Sequence, residues 1–246
     1  MEHSSFLDDK FREERLKDLQ YYAPKEVDLS LSVEERRKYC DEWTRRGLKA
    51  LIDKKISDKT FSEIIEDASK KGIIKLRKNA EKLFEFSLEN KVPLYVLSAG
   101  LGNVIEPFLL SQVKCYKELQ EKELVKIVSN RIYFDESGLP NSHKDPPLNT
   151  FTKTDYLKEA YTHGVKDAII AGDHHHDSLC VEKLTLNKAI SIAFINSERK
   201  VLENEKKEQL ERYSLHWDGA IFDEGSFDFH LSILNHIKLN CEQSKK

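Results

Sequence analysis

The sequence predicts an α/β fold in which a parallel sheet covered by helices follows an N-terminal helical module. The first ninety residues place apolar side chains at helical spacing and contain no strand-like run. After Asn90, four short apolar runs end in polar or glycine-rich residues, which is typical of strands buried on both faces of a parallel sheet. We therefore expect a helical module over residues 1–75 and an α/β core over residues 76–246.

Helical periodicity and capping signals define the elements of the first module. The predicted helices span Asp8–Leu19, Ser32–Lys54, Ser57–Ala68 and Ile74–Asn90. The second has the clearest start, because Ser32 is followed three residues later by Glu35, the pattern of a capping box.

The predicted strands follow in the second part of the chain. They are Val92–Leu97, Asp167–Ala171, Ala189–Ile195 and Gly219–Asp223. In parallel sheets, ligands bind outside the carboxyl ends of the strands. The polar exits Ser98–Ala99, Gly172–Asp173 and Asp223–Glu224 therefore mark the expected binding edge, and another helix is expected from Asn103.

Composition excludes several classes of protein. Forty Lys and Arg against 43 Asp and Glu leave a net charge of -3, which provides no basic footprint for a nucleic-acid polymer. No apolar run approaches the roughly 20 residues of a membrane helix, and the polar N-terminus lacks a signal-peptide stretch. Four distant cysteines with no CxxC pair suit reduced thiols better than disulfides or zinc. We expect a cytoplasmic protein without membrane association.

One candidate anion site lies after the first strand. The Ser98 hydroxyl and the amides of Ala99 and Gly100 are expected at a strand-to-helix turn, where they could hold a phosphate oxygen. Lys153, in the stretch Phe151–Asp155, could neutralise the same anion. Taken alone, each signal is weak, because such a turn is most often only a turn and such a lysine is most often solvated.

A candidate metal site follows the second strand. Asp173 and Asp177 belong to a Gly-Asp-His-His-His-Asp sequence, and carboxylates at a strand end can hold a hard cation such as Mg²⁺. The three histidines His174–His176 admit two interpretations. A zinc-binding module is the less favoured one, because three adjacent side chains cannot all face one metal. Histidines on a solvent-facing loop are the favoured interpretation.

The order of these signals carries more information than any one of them. Strand-Ser, then Lys, then strand-Gly-Asp-x-x-x-Asp is the order of motifs two to four in the haloacid dehalogenase superfamily of phosphatases. The chain further resembles the cytosolic 5'-nucleotidase III (pyrimidine 5'-nucleotidase) family over nearly its whole length. The segments that carry this resemblance are Tyr21–Ala23, Glu26–Asp28, Ser32–Glu35, Glu42–Trp43, Val92–Gly100, Asn130–Gly138, Phe151–Lys153 and Gly172–Asp173.

The resemblance implies a Mg²⁺-dependent hydrolase that converts nucleoside 5'-monophosphates, with a pyrimidine base expected, to nucleoside and phosphate through an aspartyl-phosphate. The implied fold is a parallel Rossmann-like sheet of the haloacid dehalogenase type with an N-terminal helical cap. The implied site residues are Ser98, Ala99 and Lys153 for phosphate, Glu26 for the nucleoside and Asp173 for Mg²⁺. The implied catalytic residues are Lys153 and Asp177, and Asp177 also supports the metal site. A family serine falls on Gly47, which leaves the base preference open.

The family's first motif, a strand ending in an Asp-x-Asp nucleophile, does not occur in the chain, and Asp8-Asp9 has the wrong spacing. In the family fold, this first core strand lies between the strands that end at Ser98 and Asp173. Strands pair about 4.8 Å apart, and each buried backbone group left unpaired costs about 1–3 kcal/mol. Either the flanking strands close up or the sequence is a truncated product of a longer reading frame, and we expect the latter.

Two functional hypotheses follow. The first is a 5'-nucleotidase that acts on small-molecule nucleotides. The second is a catalytically inactive pseudo-phosphatase that binds a nucleotide or a protein partner without turnover. The sequence leaves the oligomeric state open.

Overall fold

A computed structural model describes residues 8–160, 164–174, 176–196, 211, 213–222 and 225–243. Its helices are α1 Asp9–Val27, α2 Val33–Asp53, α3 Asp58–Lys70, α4 Ala80–Asn90, α5 Gly102–Gln112, α6 Tyr116–Glu121, α7 Lys153–Ala160 and α8 Asp228–Gln243. Its strands are β1 Leu94–Leu101, β2 Val125–Asn130, β3 Ile132–Phe134, β4 Pro140–His143, β5 Asp167–Gly172, β6 Lys188–Ile195 and β7 Gly219–Phe222. A short 3-10 helix covers Ser178–Val181.

The predicted α/β class with a parallel sheet is confirmed. β5, β6 and β7 form a parallel sheet in that order, with Ile170 opposite Ser191 and Ile192 opposite Gly219. Both crossovers connect parallel neighbours, as the buried apolar runs predicted. The predicted exit Asp223–Glu224 after the last strand lies outside the described residues.

Strands β1 and β5 belong to different sheets. β1 pairs with β2 in a two-stranded sheet, whereas β5 pairs with β6. Sequence analysis missed β2 and the antiparallel hairpin of β3 and β4, because the polar strand Pro140–His143 gains its structure by pairing with Ile132–Phe134.

The helical predictions hold with shifted ends. The capping box at α2 is present, since the Glu35 amide donates to Ser32 Oγ at 3.2 Å and the Ser32 amide donates to Glu35 Oε2 at 2.8 Å. The Ser32 amide and hydroxyl both donate to the Glu35 carboxylate and lower its pKa. Helix α1 continues past Leu19 to Val27. Helix α4 begins at Ala80 instead of Ile74, because Asn79 adopts a left-handed conformation (φ 63°) that a helix cannot continue through.

The chain divides into two compact units. The first comprises Met1–Lys75, Tyr95–Lys114 and Lys126–Tyr156, and the second comprises Leu76–Leu94, Cys115–Val125 and Leu157–Lys246. The core of the first unit consists of Phe11, Leu48, Leu51, Ile56, Phe61, Ile64, Ile65, Leu101 and Ile132. In the second unit, Phe194 packs against Phe227 and His230. The functional division into a cap over residues 1–75 and a core over residues 76–246 stays a prediction.

Two expectations from composition can be compared with the structure. All four cysteines are free thiols, and Cys40 and Cys180 are buried. In the part of the chain that the structure describes, every helix is too short or too polar to span a lipid bilayer.

Candidate active site

Ser98 and Ala99 lie inside a strand. The predicted strand-to-helix turn at these residues is wrong, because β1 continues to Leu101 and α5 begins at Gly102. The Gly100 amide donates to Ser98 Oγ at 3.1 Å, while Ala99 and Gly100 are exposed and Ser98 is half-buried. The Ser98 hydroxyl therefore keeps its own proton available for a ligand oxygen, and the exposed stretch can be reached from solvent.

Asn130 joins this stretch of β1 to the segment that precedes Lys153. Its side chain is buried at the end of β2, and its Nδ2 donates to the carbonyl oxygens of Ala99 and Leu148, both at 2.7 Å. Its Oδ1 accepts the Leu148 amide, also at 2.7 Å. The bond to Ala99 satisfies a main-chain carbonyl at the point where the sequence predicted a turn.

Lys153 is the first residue of α7, and a compact turn places it there. The Asn149 amide donates to Thr152 Oγ1 at 2.8 Å, and the Phe151 amide donates to Asn149 Oδ1 at 2.9 Å. The start of a helix carries partial positive charge, to which the Lys153 ammonium adds. This position suits a group that neutralises an anion.

Glu26, near the end of α1, contacts the same turn. Its carboxylate accepts a hydrogen bond from Thr150 Oγ1. From α2, Asp41 accepts a bond from Asn149 Nδ2. Burial, and then the charges of Glu26 and Asp41, raise the pKa of the Cys40 thiol to about 12, so this thiol stays protonated. The structure thus brings Glu26, Ala99 and the segment leading to Lys153 together within the first unit.

Aromatic side chains of α1 and α2 contact one another and Lys25, the residue before Glu26. Tyr22 stacks on Trp43 with ring centroids 6.2 Å apart. The Lys25 ammonium lies 4.4 Å from the ring centroid of Tyr21 and 4.7 Å from that of Tyr39. Sequence analysis quoted several of these residues but did not predict that Lys25 lies between two rings.

Asp173 follows β5 directly, as predicted, and lies in the second unit. Asp177 organises the loop: its Oδ2 accepts the amides of Asp173 at 3.3 Å and His174 at 3.1 Å. Gly172 permits this arrangement, because a Cβ at that position would lie 2.5 Å from the Asp177 Cβ. Asp177 therefore acts on the shape of the loop, and Asp173 presents its exposed carboxylate from it.

Tyr213 contacts the same loop. Its hydroxyl donates to the main-chain oxygen of Asp173 at 2.5 Å. Burial, and then the negative charges of Asp173 and Asp177, raise the pKa of Tyr213. The carboxylate charge at this loop suits a hard cation, since Mg²⁺ is usually held by one or two carboxylates together with waters and substrate phosphate.

The histidines after Asp173 form no metal cluster in the part of the chain that the structure covers. The His176 amide donates to His174 Nδ1 at 3.3 Å, and the two rings stack with centroids 5.3 Å apart. No group of three or more His, Cys, Asp or Glu side chains suited to a metal occurs among the described residues, from which His175 is excluded.

Comparison with known proteins identifies the family. The sequence model of the pyrimidine 5'-nucleotidase (UMPH-1) family matches residues 1–238. The chain belongs to this family. Its predicted class, a 5'-nucleotidase among the phosphoric monoester hydrolases, is thereby confirmed.

Individual relatives agree with this membership. The 7-methylguanosine phosphate-specific 5'-nucleotidase of Gallus gallus is 27% identical over 232 residues, covering 91% of this chain and 74% of the relative. The Homo sapiens enzyme of the same description is 23% identical, covering 96% and 75%. A crystal structure of cytosolic 5'-nucleotidase IIIB bound to cytidine matches with a TM-score of 0.71 at 21% identity, covering 98% of this chain and 77% of that one. This match shows that the chain shares the fold of that nucleotidase.

Sequence reasoning missed the residues that hold the candidate groups in place. Asn130 was part of a quoted family segment, but nothing in that segment indicated a bond to Ala99. Thr150 and Tyr213 carried no signal at all, because their partners lie 124 and 40 residues away. The signal that could have identified Asn130 is its position as a polar residue at the buried end of β2, because buried polar side chains normally have hydrogen-bond partners.

Proposed function

We propose that this chain binds nucleoside 5'-monophosphates, with a pyrimidine base preferred, and takes part in their Mg²⁺-dependent hydrolysis to nucleoside and phosphate in the cytoplasm. The observation that carries the proposal is the gathering of Glu26, Ala99 and the Lys153 segment in one unit of a 5'-nucleotidase family member. A family name alone would not say which side chains meet the substrate.

In this proposal, the first unit holds the nucleotide. The Ser98 hydroxyl and the Ala99 amide donate hydrogen bonds to the phosphate, and Lys153 offsets its charge. The Glu26 carboxylate accepts hydrogen bonds from the nucleoside. The contact with Thr150 supports this role, because it holds one carboxylate oxygen and orients the other.

In the second unit, Asp173 is proposed to hold Mg²⁺, with Asp177 keeping the loop in shape. When bound, Mg²⁺ acts as a Lewis acid that stabilises charge on the phosphoryl oxygens. The donor chemistry fits, because Asp173 is an exposed carboxylate and Asp177 also contributes negative charge.

The nucleophile is not assigned to any residue of this sequence. The 246 residues contain no Asp-x-Asp triplet. Asp8 is engaged elsewhere, because it caps α1 by accepting the Phe11 amide at 2.8 Å and pairs with Lys54. The missing triplet favours a second candidate function, in which the 246-residue chain binds nucleotides without turning them over.

A binding and turnover experiment separates these functions. Cytidine 5'-monophosphate (CMP) and cytidine are titrated into the 246-residue chain with Mg²⁺ by calorimetry, and phosphate release from CMP is measured in parallel. Tighter binding of CMP than of cytidine together with released phosphate supports hydrolysis, whereas the same binding without release supports the second candidate. Equal affinity for the two ligands, or binding of neither, contradicts both.

A variant of Lys153 tests whether this residue binds the phosphate group. Lys153→Ala is expected to weaken CMP binding by about tenfold, since charge-assisted hydrogen bonds are worth about 1.5–3 kcal/mol, and to leave cytidine binding nearly unchanged. Lys158→Ala is the matched control, because Lys158 is exposed on the same helix, five residues further on. Equal losses for CMP and cytidine would contradict the assignment.

Base preference needs its own comparison. The relatives are described as specific for 7-methylguanosine phosphate, and the matching crystal structure holds cytidine. Affinities for CMP and 7-methylguanosine 5'-monophosphate are therefore measured side by side. Tighter binding of CMP supports the proposed pyrimidine preference, and the reverse order overturns that part of the proposal.

A further inference from the structure

We infer that Asn130 is a positioning residue that sets Lys153 relative to the Ser98–Ala99 stretch of β1, and thereby determines how strongly the phosphate group is held. The inference rests on the proposed function, because it concerns the same phosphate site. It adds a residue that touches neither the phosphate nor the nucleoside.

The Asn130 side chain is committed to this link. It is 1% exposed, and its amide has two donors, of which one is used by the carbonyl of Ala99 and the other by the carbonyl of Leu148. The Leu148 amide donates back to Oδ1. The side chain therefore bonds to the main-chain N–H and C=O groups of Leu148 and to the C=O group of Ala99 in β1. These bonds fix the distance between β1 and the segment that contains Leu148.

Rigid local structure transmits this placement from Leu148 to Lys153. The Thr152 hydroxyl accepts the Asn149 amide at 2.8 Å, and the Thr152 amide donates to the Asn149 carbonyl at 3.1 Å. Asn149 and Thr152 are both buried. A shift of Leu148 away from β1 would therefore carry Lys153 with it.

Other anchors of the segment lead to the helices. Thr150 contacts Glu26 on α1, Asn149 contacts Asp41 on α2, and the Arg36 guanidinium lies 5.4 Å from the ring centroid of Phe151. These contacts keep the segment in place on the helical side. Asn130 is different, because it connects the segment to the strand that bears Ser98 and Ala99.

Replacing Asn130 is expected to reduce the preference of the chain for a nucleotide over the corresponding nucleoside. An anion held jointly by a hydroxyl, an amide and an ammonium group requires all three at hydrogen-bond distance, and a misplacement of about 1 Å can cost on the order of 100-fold. Loss of Asn130 should weaken the phosphate contribution more than the nucleoside contribution, because Glu26 belongs to α1 and not to the segment that Asn130 holds.

The test measures the ratio of the dissociation constants of cytidine and CMP, which isolates the phosphate contribution. Asn130→Ala and Asn130→Leu are both used in the full 246-residue chain, since each is neutral and adds no charge near the phosphate. Ser87→Ala is the matched control. Ser87 is 2% exposed and donates one bond of 2.6 Å to the Val92 carbonyl in the second unit. Circular dichroism and melting temperature show that each variant is folded.

Both Asn130 variants are expected to lower the ratio by about tenfold or more, whereas Ser87→Ala lowers the melting temperature and leaves the ratio unchanged. Lys153→Ala, added to Asn130→Leu, should then cause less than half of the loss it causes in the parent chain, because the ammonium is already misplaced. An unchanged ratio in a folded Asn130 variant, or an undiminished effect of Lys153→Ala, overturns the inference alone. A parent chain that binds CMP no better than cytidine overturns the proposed function and the inference with it.

Discussion

The two compact units hold their candidate residues in different ways. In the first unit, side chains distant in sequence fix the site: Asn130 bonds to Ala99, and Thr150 bonds to Glu26. In the second unit, the contacts that shape the loop after β5 are mainly local, since Asp177 accepts the amides of His174 and Asp173, three and four residues away, and Tyr213 adds one bond to the Asp173 carbonyl. Phosphate and nucleoside binding should thus be sensitive to remote substitutions, whereas metal binding should depend on the loop sequence.

One buried polar side chain from each unit gives a second contrast. Asn130 in the first unit is buried, and its amide nitrogen and oxygen make three hydrogen bonds. His230 on α8 is 2% exposed, yet neither ring nitrogen has a hydrogen-bond partner among the described residues, and its ring packs against Phe194 and Phe227. A buried polar group without a partner destabilises a fold, so His230 is a weak point of the second unit.

The largest predicted effect concerns this histidine. Burial lowers the pKa of His230 from 6.5 to about 4. Between these values the unfolded chain binds a proton that the folded chain does not, so stability falls as the pH falls from about 6.5 to about 4, by on the order of 3 kcal/mol. His230→Phe should remove most of this fall, as measured by urea unfolding at pH 7 and pH 4.5.

A matched control is available on the same helix. His236 is exposed, so His236→Phe should leave the pH dependence as it is. If His230→Phe and the parent chain lose equal stability between the two pH values, the neutral buried histidine is not the cause.

The next prediction tests the local contacts that shape this loop of the second unit. Gly172→Ala would put a methyl group 2.5 Å from the Asp177 Cβ and 2.6 Å from its Oδ2. We expect the variant to lose about 1–3 kcal/mol of stability from overpacking and to bind Mg²⁺ more weakly. Thermal unfolding and Mg²⁺ titration provide the measurements. Gly138→Ala is a useful comparison, since its Cβ would meet no atom within 4 Å although its positive φ adds backbone strain. Unimpaired Mg²⁺ binding in Gly172→Ala would argue against a shaped loop.

The two carboxylates of this loop should differ in their effects. Asp173→Asn removes the proposed Mg²⁺ ligand charge and should weaken Mg²⁺ binding by about tenfold or more. Asp177→Asn should cost only a few-fold, because an amide oxygen can still accept the two main-chain amides. Isothermal titration with Mg²⁺ measures both. The opposite ranking would make Asp177 the ligand and Asp173 the supporting residue.

The smallest predicted effect lies in the first unit. Thr150→Val keeps the shape of the side chain but removes the bond to Glu26. We expect cytidine affinity to fall about two- to fivefold, since one hydrogen bond is worth about 0.5–1.5 kcal/mol net. The ratio of cytidine to CMP affinity should stay constant. A change in that ratio would mean that Thr150 acts on the phosphate, and no change in either affinity would mean that Glu26 needs no anchor.

Local sequence patterns predicted a large part of the fold. The capping box at Ser32, the three strands of the parallel sheet and the position of Asp173 at a strand end all depend on neighbours within a few residues. The hairpin of β3 and β4 and the extension of β1 could not be predicted in this way. The polar strand β4 has no strand pattern of its own and depends on pairing with β3, and the end of β1 is bonded at Ala99 by Asn130, 31 residues away.

The sequence by itself determined which groups are available: a serine strand, a lysine, an aspartate after a buried strand, and a family pattern over nearly the whole chain. The tertiary structure alone decided that Asn130 joins Ala99 to the Lys153 segment and that Thr150 holds Glu26. The positions of helices and strands along the chain follow from hydrophobic periodicity, which is local. Hydrogen bonds between buried side chains and a distant backbone exist only after the chain has packed, because packing is what brings those atoms within 3 Å of one another.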